Sequence, residues 1–102
     1  MQIDVTGHHL EITQALRDYA TDKIARLERH FDHLLSAHVV LKTEGRAHQA
    51  EATVNVGGGP RLFAQDRNQD LYAAIDSMAY QLDRQVRRHK RKVTDHHRKT
   101  AS

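Results

Sequence analysis

Between residues 84 and 92 the chain reads Arg84-Gln85-Val86-Arg87-Arg88-His89-Lys90-Arg91-Lys92, six permanent cations with no acid among them. A run of this kind suits one chemistry, the neutralisation of a polyanion, most often nucleic acid. The overall net charge of +3 conceals it. Residues 1–60 hold six Lys/Arg against eight Asp/Glu, whereas residues 61–102 hold ten against five. Charge alone does not separate a binding face from a solubilising one, but helical geometry does. With Arg84 set at 0° and about 100° per residue, Leu71, Ile75, Met78, Leu82, Val86 and Val93 fall between about 120° and 200°. Arg84, Arg87, Arg88 and Arg91 fall between about −60° and +40°, with Lys90 and Lys92 on the two flanks. A merely solvated face intersperses acids to relieve repulsion, and none occurs between Asp83 and Asp95. Unrelieved like charge at i, i+3 and i, i+4 weakens a helix, so an anionic partner explains the stripe better than solubility does.

Other chemistries are poorly served. With no cysteine there is no disulfide scaffold, thiol nucleophile, iron–sulfur cluster or Cys-type zinc site. The nine histidines are His8-His9, His30 with His33, His96-His97, and single residues at 38, 48 and 89. Adjacent histidines diverge on a strand, and no His-Glu-x-x-His is present, so no metal site and no cofactor is expected. His89 lies within the basic run. The serines, Ser36, Ser77 and Ser102, stand in no nucleophile elbow. Gly57-Gly58-Gly59-Pro60 precedes a strand rather than a helix, so it reads as a hairpin loop and not a phosphate cradle. Asp70 reads as a helix N-cap and Asp76 as a surface residue. No enzyme and no small-molecule substrate are expected. Of Tyr19, Phe31, Phe63, Tyr72 and Tyr80, only Phe63 is a candidate for stacking on splayed bases, which favours backbone and shape recognition of structured RNA.

These residues need elements to position them. Ile3 and Val5 alternate in a strand over about residues 2–6. Ile12, Leu16, Ala20, Ile24, Leu27 and Phe31 recur at helical spacing, predicting a helix over about residues 13–30 capped by Thr13. Strands follow at about 37–43, 50–56 and 61–65, and a long helix at about 70–93. In the third strand Ala50, Ala52, Val54 and Val56 alternate with polar residues, the signature of a sheet wet on one face. The order β-α-β-β-β-α requires a right-handed crossover and then two hairpins, with both helices covering one sheet face. The expectation is a single α+β domain over residues 1–93, a four-stranded sheet with both helices on one face, and a flexible C-terminal tail at 94–102. On the first helix Lys23 falls inside the apolar stripe and Arg26 at its edge. Either the Lys23 stem snorkels, or the two residues border the groove between the helices and extend the basic surface. Neither a signal peptide nor an apolar run of membrane-spanning length is evident, which predicts a cytoplasmic protein with no membrane partner.

In order along the chain stand Ile3-Asp4-Val5-Thr6-Gly7, Glu11-Ile12-Thr13-Gln14-Ala15-Leu16-Arg17, Lys23, Leu27-Glu28, Phe31, Val40-Leu41-Lys42 and the glycine loop. Gln69-Asp70-Leu71-Tyr72-Ala73-Ala74-Ile75-Asp76, Leu82, Arg84-Gln85 and His89-Lys90 complete the set. Over about residues 1–93 the chain thereby resembles the short ribosome hibernation-promoting factors, relatives of a stationary-phase ribosome inhibitor once called a sigma-factor modulator. The resemblance implies a fold like that of double-stranded-RNA-binding domains. It also implies a stress-linked translation inhibitor bound to the small ribosomal subunit and its rRNA, between head and body, where messenger and transfer RNA would lie. Lys23, Arg26, Arg84, Arg88, Lys90 and Lys92 carry over as rRNA contacts. Arg87 and Arg91 join them from the geometry of the stripe. The large C-terminal domain of the long form is not expected, so ribosome dimers would need a separate modulation factor on the same ribosome. Gly59-Pro60 and Asp95-His96-His97 depart from the family pattern. A general structured-RNA binder and a histidine-based metal- or protein-binding adaptor remain as alternatives.

Overall fold

The computed structural model describes the backbone of residues 1–101 and the side chains of residues 1–93. The elements run β1 (Gln2–His8), α1 (Gln14–Ala25), a 3-10 turn (Arg26–Arg29), β2 (Leu34–Glu44), β3 (Ala47–Val56), β4 (Arg61–Asn68) and α2 (Leu71–Ala101). The sheet order is β1-β2-β3-β4, with β1 parallel to β2 and the two hairpins antiparallel, as the element order requires. Thr13 caps α1 by accepting from the Leu16 N–H at 3.1 Å, and Asp70 caps α2 by accepting from the Tyr72 N–H at 3.0 Å. Gly58 turns the β3–β4 loop with φ +68°, and a Cβ on Gly59 would meet the His89 ring at 3.1 Å. The loop is therefore closed against α2 by the absence of a side chain.

The core is one layer between the sheet and the helices. Val39, Leu41, Val54, Ile24, Ile75, Met78, Leu82 and Val86 are fully buried in it, and among the described residues no polar one is. All four strands exceed their expected length: β2 begins at Leu34, which joins the core, and at the far ends of β2, β3 and β4 side chains such as Thr43 and His48 or Glu44 and Arg67 meet across the sheet. Three expectations for the helices need correction. The first helix stops at Ala25 and tightens into the 3-10 turn, which still buries Leu27. The second does not end near Val93 but continues to Ala101, with no Gly or Pro to stop it. Val93, expected on the apolar face, is 48% exposed, since the helix has run past the last core residue, Val86. The side chains of the expected tail, 94–102, lie outside the described residues.

Candidate nucleic-acid interface

Alpha-helical periodicity does on α2 what the residue spacing requires. Ile75, Met78, Leu82 and Val86 face the sheet, while Arg84, Arg87, Arg88, Lys90, Arg91 and Lys92 are all exposed. Two glutamines fix the roll of the helix. Gln85 Nε2 donates to the Phe63 carbonyl at 2.7 Å and Gln81 Nε2 to the Gln65 carbonyl at 3.3 Å. They occupy outward-facing carbonyls of the edge strand β4, so one pair of contacts both orients the stripe and blunts the sheet edge.

The cations fall into two groups. Arg87 is engaged: its Nε lies 2.9 Å from Asp83 Oδ2, and an Nη donates to His30 Nε2 at 3.1 Å. Lys23 is engaged too, with Nζ 3.4 Å from Asp76 Oδ1 and 5.3 Å from the Tyr19 ring centroid, its side chain only 27% exposed. Lys23 thus belongs to the groove between the helices, held there by an ion pair rather than by simple snorkelling. Arg26 reaches only Asp22, at 3.9 Å and in the open, a contact of little energetic weight. Arg84, Arg88, Arg91 and Lys92, by contrast, make no hydrogen bond or ion pair among the described residues. These are the charges of the stripe that the fold leaves uncompensated among the described residues.

Asp76 is more than a surface residue. Besides Lys23 it accepts a 2.5 Å hydrogen bond from the Tyr19 phenol, tying α1 to α2. That hydrogen bond, with burial and the carboxylate charge adding to it, pushes the Tyr19 pKa up to about 12. Between the helices lies a cleft of about 340 Å³, lined by Lys23, Arg26, Arg29, Tyr80 and Asp83 among others. Two of these residues escape the sequence argument. Arg29 shares a face with Arg26, as residues three apart do in a 3-10 turn and in an alpha-helix alike, so its spacing was the signal. Tyr80 is 64% exposed, more than the 48% of Phe63, and its helical angle would have revealed it.

The histidines do not converge. His30 sits between Arg87 and Asp83, His38 pairs with Asp4, and His33 and His89 set their rings edge-on to Phe31 at 5.2 and 5.3 Å. Among the described residues no three His, Asp or Glu side chains are grouped to hold a metal, and no helix is long and apolar enough to cross a membrane.

Comparison with known proteins agrees with this architecture. The family model described as sigma 54 modulation protein / S30EA ribosomal protein matches residues 3–94. A ribosome hibernation promoting factor from Salmonella typhimurium is 46% identical over 96 residues, covering 94% of this chain and 100% of that protein. One from Pseudomonas putida is 45% identical over 92 residues, covering 90% of this chain and 89% of that protein. Among solved structures, the N-terminal domain of Thermus thermophilus Protein Y superposes with a TM-score of 0.82 at 42% identity, covering 87% of this chain and 99% of that one.

Proposed function

The chain belongs to the sigma 54 modulation protein / S30EA ribosomal protein family, and from that premise we propose that it is a ribosome-binding translation inhibitor acting in ribosome hibernation. It occupies the messenger- and transfer-RNA channel of the small subunit in the cytoplasm. Lys23, Arg26, Arg84, Arg87, Arg88, Lys90, Arg91 and Lys92 form the rRNA-facing surface, mounted on a domain of residues 1–93. Inhibition needs no chemistry: a rigid body of the right shape and charge excludes the ligands of initiation. Ribosome dimers, where they form, require a separate modulation factor.

The observation that supports this reading is the set of uncompensated cations, led by Arg84 and Arg88, directly opposite a fully apolar core. An anionic surface is what completes such a face. The test is sedimentation of the purified protein with isolated small subunits, large subunits and a structured RNA of unrelated sequence. Selective migration with small subunits, lost when messenger and initiator transfer RNA are bound first, is the expected result. Equal binding to all three would replace this reading with that of a general structured-RNA binder.

A further inference from the structure

Two of the three tyrosines are accounted for by the fold. Tyr19 and Tyr72 meet edge to face with centroids 4.9 Å apart, and the Tyr19 phenol is bound to Asp76. Tyr80 is different. It is 64% exposed and makes neither a hydrogen bond nor a ring contact among the described residues. On α2 it lies at about −40° when Arg84 is at 0°, inside the arc that holds Arg84, Arg87, Arg88 and Arg91. It is one turn before Arg84, at the head of the basic stripe. On its other side it lines the cleft of about 340 Å³ shared with Arg26 and Arg29.

An aromatic ring flanked on both sides by guanidinium groups matches what an unstacked nucleotide requires. The base stacks on the ring, and the phosphates to either side are neutralised. Carboxylates in the cleft would oppose this, but both are occupied: Asp76 by Tyr19 and Lys23, Asp83 by Arg87. The cleft volume is at the low end of the roughly 300–1,000 Å³ that holds small organic ligands, enough for one base rather than a duplex. We propose that Tyr80 is a stacking platform for a single unpaired nucleobase of ribosomal RNA, with Arg29 and Arg84 meeting the neighbouring phosphates. The inference rests on the RNA-binding reading above and adds to it a contact with a base, where the stripe alone contacts only backbone.

The test is equilibrium binding to purified small subunits across a salt series, for the parent, Tyr80→Ala, Tyr80→Phe and Arg84→Ala. Loss of one base–aromatic stack predicts about 5- to 150-fold weaker binding for Tyr80→Ala. Because Tyr80 carries no charge, the slope of log affinity against log salt stays that of the parent, whereas Arg84→Ala lowers its magnitude by about 1. Tyr80→Phe, which keeps the ring, recovers most of the loss. Circular-dichroism melting confirms that the variants at this exposed position are folded. If the parent binds and Tyr80→Ala binds within two-fold of it, the stacking platform is wrong while the ribosomal reading stands. If the parent itself fails to bind small subunits, both fall together.

Discussion

The two exposed faces of this domain treat their cations in opposite ways. On the open face of the sheet, Lys42 lies 3.3 Å from Glu51, Arg67 lies 2.8 Å from Glu44, and Arg61 Nε donates to Asn55 Oδ1 at 3.2 Å. On the helical face Arg84 and Arg88 have no partner among the described residues. Both faces are solvated and both are polar, so solubility cannot be the difference. A surface that has only water to satisfy pairs its charges at little energetic cost, and the sheet does so. The helical face pairs its inner cations but holds Arg84, Arg88, Arg91 and Lys92 apart from any described acid, at a cost to the helix, and that cost is offset only when an anion arrives.

The largest effect should come from inverting each face in turn. Arg84→Glu, Arg88→Glu and Arg91→Glu together should abolish co-sedimentation with small subunits, because each change removes an attraction to phosphate and adds a repulsion. Lys42→Glu, Arg61→Glu and Arg67→Glu alter the net charge by the same amount, yet should leave binding within a few-fold. The helical set should change stability little, since it removes no ion pair. The sheet set places carboxylates opposite Glu51 and Glu44 and should lower the melting temperature modestly, so binding is compared below both melting points. If both triple variants lose binding equally, bulk charge and not the placement of the stripe governs association. The salt dependence of the parent sharpens the point: about six phosphate contacts predict a log–log slope near −4 to −5.

Leu82 lies between the two faces and fully buried, so it probes the scaffold that separates them. Leu82→Ala leaves a cavity and should cost about 2–5 kcal/mol in urea denaturation. Below its melting point the variant should still sediment with small subunits, because every exposed cation is retained. A stable variant that no longer binds would show that the stripe depends on the core for more than support.

Much of this was legible beforehand, and the reasons are specific. The alternation from Ala50 to Val56 and the opposed arcs of α2 follow from periodicities of two and 3.6, which burial enforces residue by residue. The Thr13 and Asp70 caps were legible because the backbone leaves donors there that few residue types can satisfy. What was hidden depends on one element meeting another. The pairing of Asp76 with Tyr19 and Lys23 spans more than fifty residues of chain, and so does that of His30 with Arg87. Sequence spacing places such groups on a helix face but does not say which acid faces which base. The tightening into a 3-10 turn after Ala25 was equally out of reach, since nothing in Arg26-Leu27-Glu28-Arg29 departs from alpha-helical preference.

The smallest predicted effect concerns the inner seam of the helical face, where charges are paired and the comparison with the sheet should reverse. The Tyr19 phenol donates to Asp76, and that bond, reinforced by burial and by the carboxylate charge, holds its pKa up to about 12, against an ordinary value of 10.0. A folded pKa above the unfolded one stabilises the fold below pH 10, and the contribution is lost as pH rises from 10 towards 12. Ultraviolet titration of the phenolate band should therefore resolve a late step near pH 12 while circular dichroism remains native. In Asp76→Ala both the hydrogen-bond acceptor and the carboxylate charge are gone, so the step should move back towards 10. Binding to small subunits should change little, because the uncompensated arginines are untouched. A late step that stays in place in Asp76→Ala would mean that burial, not the carboxylate, holds the phenol. A native titration with no late step would mean that the Tyr19–Asp76 bond does not tie α1 to α2 in solution.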